Sequence, residues 1–315
     1  MNLFESRIGI TAAAFAAATL LAAPSFAQTE GQGQGQAIVT VMPANNSDAS
    51  AGVAQQNLQM KIDGKEATIT NLTPLRDASD RLEVVIMLDA GARTSMATQF
   101  GDIAGFVNTL PAGAKVTLAY MEYGAAHLVS PLATDHGAVL KGLHIPSGLP
   151  GQNASAYLCL SDLARHWPSN DRDARRVVVM ISDGVDYYDP HYDPQDPYMQ
   201  AAITDSVRSG LVIYSIYWQN QGRFDRTRYA NFSGQNLLAQ VTEATGGVSY
   251  WQGMGNPVSF QPYFKDIDRR LDNQYEVAFT APVRKPGVES MKLKVNDRSG
   301  KVDAPQQVYV GRAGM

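Results

Sequence analysis

The chain has 315 residues, with 26 Lys and Arg against 30 Asp and Glu, a formal net charge of −4. That balance excludes nucleic-acid binding driven by overall charge, which needs a basic surface to displace phosphate counterions. A single cysteine excludes a disulfide framework or a thiolate zinc site, and the five histidines form no HxxxH pair of the zinc-protease kind.

The first element is a targeting segment. Arg7 precedes the short apolar run 8–23, and Ser25-Phe26-Ala27 supplies a small-x-small cleavage pattern, so 1–27 reads as a signal peptide. The alternative is a membrane anchor, but the run falls short of the ~20 apolar residues that span a bilayer. No later stretch is long and apolar enough to span, so the mature protein is expected to be exported, periplasmic or extracellular. Residues 28–36, QTEGQGQGQ, lack apolar content and read as a flexible leader.

Residues 37–80 read as a β-rich segment. AIVTVM at 37–42 is a strand, and NLQMKIDGKEATITN at 57–71 alternates around Asp63-Gly64, a hairpin signal. The pattern then changes over 81–273. EVVIML at 83–88 is a strand buried on both faces. An amphipathic stretch follows at 97–110, then strands at 115–121 and 127–132. Helices are expected over 153–167, 197–209, 236–247 and 259–271, and strands over 175–182, 211–218 and 248–251. Pro197 suits a first helical turn. This alternation predicts an α/β fold with a doubly wound, mostly parallel sheet and helices on both faces. From Gln274 to Met315 the β character returns. The two β-rich flanks are expected to pair into one small domain with the α/β unit inserted.

In open α/β sheets, ligands sit beyond the carboxyl ends of the strands. Asp89 closes EVVIMLD and Asp183 closes VVVMISDG. Two converging carboxylates suit a divalent cation, or else each caps a helix or accepts loop amides. A strand ending in Asp, a Ser/Thr-bearing loop, and a strand ending in Ser-Asp-Gly, in this order over about 82–273, resemble the von Willebrand factor type A domain. NLQMKIDGKEATITNLTP and LDNQYEVAFTAP on the flanks are similar to exported acidobacterial-type proteins carrying that domain.

The resemblance implies a metal-ion-dependent adhesion site built from an Asp-x-Ser-x-Ser loop, a Thr and a second Asp. This chain departs from it. Asp89 and Asp183 match, but Gly91 and Arg93 replace the two serines, and the Thr position falls on Asn153 or Ser155. Magnesium wants near-octahedral oxygen coordination, so the site is expected to be degenerate and metal-free, with magnesium or calcium not favoured and no cofactor. Arg93 is expected to ion-pair with Asp89, Asp183 or both.

The loops 183–198 and 219–236 leave the same edge of the sheet. They bring Tyr187, Tyr188, Tyr192, Tyr198, Phe224 and Tyr229 beside Arg223, Arg226 and Arg228. Tyr and Arg are enriched at interaction hot spots. The loops pair with each other, or form a partner surface, or, through the five aspartates of the first, hold calcium. Cys159 reads as a buried thiol, and no catalytic residue is expected. The sequence therefore reads as an exported, non-enzymatic interaction module with an unknown protein partner. The alternatives are a calcium-dependent adhesion or envelope-structural protein, and an enzyme or small-ligand binder using Asp89 and Asp183.

Overall fold

A computed structural model describes residues 31–43, 52–76, 80–149, 151–189, 192–220, 228–253, 255–296 and 300–312, with the main chain only over 228–231. The signal peptide expected over 1–27 lies outside the described residues.

In chain order the strands and helices begin with β1 (Gly31–Pro43), β2 (Leu58–Ile62), β3 (Lys65–Pro74) and β4 (Leu82–Asp89). A 3₁₀ turn (Thr94–Gln99) leads into α1 (Phe100–Thr109), followed by β5 (Lys115–Glu122), β6 (Ala125–Leu128) and α2 (His136–Leu140). Then come α3 (Ala156–Arg165), β7 (Arg175–Ser182), α4 (Pro197–Arg208), β8 (Leu211–Tyr217), α5 (Arg228–Thr245), β9 (Ser249–Tyr250) and α6 (Gln261–Leu271). The chain ends in β10 (Gln274–Val283), β11 (Gly287–Val295), β12 (Gly300–Asp303) and β13 (Gln307–Arg312).

The middle of the chain forms a six-stranded sheet in the order β6-β5-β4-β7-β8-β9. All its pairings are parallel except β5 with β6, which turn through Tyr123 and Gly124 at positive φ. Every residue of β4 is buried. Val84, Ile86 and Leu88 face one core with Ile103, Phe106 and Phe264 of α1 and α6, whereas Val85 and Met87 face the other with α3, α4 and α5. The period of two puts successive side chains on opposite faces, so a continuous apolar run fills both cores at once. Ser155 caps α3, and Asp196 caps α4 ahead of Pro197.

The flanks build a second, antiparallel sheet. Its strands run β10-β3-β2-β11-β13-β1, and β1 pairs with β10, so the sheet closes on itself with β12 attached to β1. Val39, Met60, Ile62, Val277, Phe279 and Val310 fill its interior. The Asp63-Gly64 turn takes positive φ at both residues, as a two-residue hairpin requires. Arg175 fastens the two units. Its buried guanidinium donates to the Leu271 carbonyl at 2.7 Å, to Gln274 Oε1 at 2.8 Å and to Asp80, so it grips the chain where it enters and leaves the α/β unit.

Several expectations need correction. The leader expected over 28–36 is strand from Gly31 onward, pairing Gly31–Gln36 with Ala278–Val283 of β10. Backbone ladders need no apolar side chain, and the glycines are what permit the approach. A Cβ on Gly35 would lie 2.5 Å from the Phe279 ring, and one on Gly33 would lie 2.6 Å from Val283 and Val310. The helix expected from 236 begins at Arg228, which moves Arg228 and Tyr229 from a loop into α5. The short α2 and β12 were not expected.

Candidate functional site

Asp89 and Asp183 both sit at the carboxyl edge of the sheet, where the strand order reverses between β4 and β7. Asp89 is fully buried. An unpartnered buried carboxylate is costly, so its partners define the site. Asp89 Oδ1 accepts the Gly91 N–H at 2.8 Å. Oδ2 accepts the side-chain amides of Asn153 and Asn220, each at 2.8 Å, and more weakly the Ser182 hydroxyl at 3.4 Å. Among the described residues, four neutral donors from four segments converge on this carboxylate.

Asp183 is also buried. Its Oδ1 accepts the Val185 N–H at 3.0 Å and its Oδ2 the Tyr187 hydroxyl at 2.7 Å. Arg93 does not take the expected role. Among the described residues no ion pair joins it to Asp89 or Asp183; its guanidinium donates to the Asn220 carbonyl at 3.2 Å. Of the two candidates for the Thr position, Asn153 points at Asp89. Ser155 is spent on capping α3, where it accepts the Leu158 N–H at 3.4 Å. The buried Asn153 Oδ1, Asn220 Oδ1 and Arg93 Nε have no hydrogen-bond partner among the described residues.

The loop at 148–153 closes over Asp89. The Gly148 N–H bonds the Ala90 carbonyl at 2.9 Å, and a Cβ on Gly91 would lie 2.5 Å from the Leu149 carbonyl. A serine at 91 has no room. Tyr187 lies against Gly151 and donates its N–H to the Ala154 carbonyl at 3.0 Å, while Ala154 holds a positive φ of 61°. The ligand set that the resemblance implies is incomplete here. The serine oxygens are replaced by Gly91 and Arg93, and the Asp89 oxygens face N–H groups. Among the described residues no group of three or more His, Cys, Asp and Glu is arranged for a metal.

The Asp-rich loop is internally used. Asp196 caps α4 through the Met199 N–H at 2.7 Å, Asp193 accepts the Gln195 N–H at 2.7 Å, and Asp186 accepts the Tyr188 N–H at 2.9 Å. Asp186 is buried, and desolvation, with the Asp196 charge nearby, raises its pKa to about 6. Burial likewise pushes the Cys159 thiol well up, which makes it a poor nucleophile.

Of the expected partner surface, Tyr187 is half-buried and tied to Asp183, and Tyr192 and Tyr198 pack partly onto the core under α4. Tyr188 is the exposed one, tilted against Tyr198 with ring centroids 5.8 Å apart. Arg223, Phe224 and Arg226 lie outside the described residues, as do the side chains of Arg228 and Tyr229. Two apolar residues of this face were missed: Tyr123, 73% exposed, and Leu149, 77% exposed. Both flank Gln152, whose carbonyl accepts the Tyr123 N–H and whose side chain accepts the Leu149 N–H. Asn220 was missed as well. Its only signal was its place just beyond β8, level with Asp89.

No protein-family model matches the chain, and no curated protein matches it. Solved structures do. A von Willebrand factor type A protein from Catenulispora acidiphila is similar over 91% of this chain and 75% of its own, at 12% identity and a TM-score of 0.45. An aerotolerance-related membrane protein from Bacteroides fragilis covers 61% of this chain and 98% of its own, at 17% identity and 0.43. The proximal thread matrix protein 1 of the mussel byssus, solved with a zinc-occupied MIDAS motif, covers 67% and 49%, at 12% and 0.43. Likeness this distant says nothing of activity. The sheet order, its antiparallel edge strand and the two strand-end aspartates stand on their own. The fold is an α/β sheet, mostly parallel with one antiparallel edge strand and helices on both faces. Among the described residues no helix is long and apolar enough to cross a membrane.

Proposed function

We propose that this chain is an exported, non-enzymatic protein-interaction module whose von Willebrand type A-like domain keeps the shape of an adhesion site without its metal. The observation that carries the reading is the set of neutral donors on Asp89. Asn153, Asn220, Gly91 and Ser182 give it hydrogen-bond donors on both oxygens, a share of what a cation would otherwise supply. A carboxylate satisfied this way is a fixed structural anchor, and it holds the loops after β4 and β8 and the loop before α3 in one arrangement.

On that rigid platform Tyr123, Leu149 and Tyr188 stand exposed. Aromatic side chains on a preorganised surface supply contact area at little entropic cost. The partner is accordingly a protein, bound without a divalent cation. The apolar run and cleavage pattern at the start of the chain support export. Cys159, sealed in the core with its thiol pushed up, supports the absence of nucleophilic chemistry there.

A photo-crosslinking amino acid at position 188 in the full chain, expressed in its own cells, tests the reading. A discrete adduct that persists in EDTA and disappears when Tyr123 and Leu149 become serine is the expected result. An adduct abolished by EDTA, or none at all, contradicts it.

A further inference from the structure

At the amino-terminal edge of the α/β sheet, opposite Asp89, the two units form the walls of one cleft of about 820 Å³. One wall is the outer surface of the closed sheet. The period of two turns Gly33, Gly35 and Ala37 of β1 inward and Gln34 and Gln36 outward. Across the ladders Gln34 has Thr280 of β10 on one side and Gly311 of β13 on the other, and Gln36 has Ala278. Tyr309 of β13 stands on the same wall, 38% exposed. This wall is uncharged, carries amide and hydroxyl groups, and is kept low by glycine and alanine.

The other wall is where β7 begins and α4 ends. Among the described residues every charged side chain at the cleft is an arginine: Arg172, Arg176 and Arg208. The chain as a whole carries −4. The carboxylates close to these arginines in the fold are engaged elsewhere. Asp171 and Asp173, on either side of Arg172, both pair with Arg81, at 3.1 and 2.8 Å. Glu83, level with Arg176 on β4, accepts the Lys115 ammonium at 3.3 Å and the Trp167 Nε1–H at 2.8 Å. Asp173 and Glu276 line a neighbouring cavity of about 330 Å³, which Arg172 also borders. Among the described residues no carboxylate lies within ion-pair distance of any of the three arginines.

Arg176 is fixed in place. Its guanidinium donates to the Asp171 carbonyl at 3.0 Å and to the Ser209 carbonyl at 3.4 Å, and lies 5.6 Å from the centroid of the Trp167 ring. Desolvation lowers its pKa, Glu83 and Asp171 oppose that, and the Arg172 charge lowers it further. An anion held between the arginines relieves that repulsion. Arg208 also answers the dipole at the end of α4, a role that does not extend to Arg172.

We propose that this cleft binds an acidic saccharide. Its carboxylate or phosphate groups sit among Arg172, Arg176 and Arg208, its hydroxyls meet Gln34, Gln36 and Thr280, and one sugar ring lies on Tyr309. Guanidinium forks match both kinds of anion with paired, charge-assisted hydrogen bonds, and the cleft has the size of a small-ligand site. The inference is independent of the metal-free reading of Asp89, which concerns the opposite edge of the sheet.

Calorimetric titration of the full chain with four probes tests it: trigalacturonate, fructose bisphosphate, uncharged maltotriose and inorganic phosphate. Saturable binding is expected for at least one of the two acidic saccharides, and which one binds distinguishes a carboxylate from a phosphate ligand. The exposed-residue variants Arg172→Gln and Arg208→Gln should each weaken that binding about tenfold with the melting temperature unchanged. Tyr309→Ala should weaken it as well. Arg176 stays unaltered, because it also holds main-chain carbonyls. No saturable binding of either acidic saccharide to about 1 mM, equally tight binding of maltotriose or inorganic phosphate, or unchanged affinity in both arginine variants overturns the proposal.

Discussion

Gly91 and Arg93 stand where serine ligands are expected, and Gly91 is under steric constraint. The Leu149 carbonyl lies 2.5 Å from where its Cβ would be. Restoring the serine at 91 therefore costs stability before it offers an oxygen. Gly91→Ser should lose about 1–3 kcal/mol in urea unfolding, and an unchanged midpoint would show that the 148–153 loop yields freely. Asp186 makes a second case. Burial raises its pKa from 3.8 to about 6, so folding takes up a proton between those values. Stability from this group is then greatest at low pH and declines as pH rises to about 6. Asp186→Asn keeps an acceptor for the Tyr188 N–H and removes the decline. It should exceed wild type by on the order of 2 kcal/mol at pH 7 and match it near pH 4. Parallel stability–pH profiles would contradict this.

At the scale of elements, β1 decides most about the flanking sheet. Its glycine-glutamine half carries no apolar pattern, yet it pairs with β10 along its length. Deleting residues 1–30 should leave the melting temperature unchanged, whereas deleting 1–36 should lower it by about 5 °C or more. Equal values would return 31–36 to a leader. The contrast shows what a sequence discloses. β4, β7 and β8 were legible because burial on both faces demands unbroken apolar runs, and the Asp63-Gly64 hairpin because its turn demands positive φ. Asp89 and Asp183 were legible as strand ends. Gly31–Gln36 was not, since a ladder paired through main-chain groups leaves no side-chain pattern. Asn220 was not, since it meets Asp89 across 131 residues of chain. The Arg93 ion pair was misread because sequence gives charge and proximity, while the competing Asn amides appear only in three dimensions.

For the whole molecule, two buried polar centres stand at opposite edges of the α/β unit. Arg175 joins Asp80, Leu271 and Gln274 at the boundary of the two units. Asp89 joins the loops of the α/β unit at its opposite, carboxyl edge. On the proposed reading, neutral donors on Asp89 stand in for a cation. Thermal unfolding of the full chain in EDTA and in about 1 mM magnesium, manganese or calcium tests it most directly. A site with a dissociation constant near 10 µM would add about 2.7 kcal/mol at that concentration, which reads as a rise of several degrees. The same melting temperature is expected in all four conditions. A rise with magnesium or manganese, lost in Asp89→Asn, would mean that a cation displaces the Asn153 and Asn220 amides and that the adhesion site is intact.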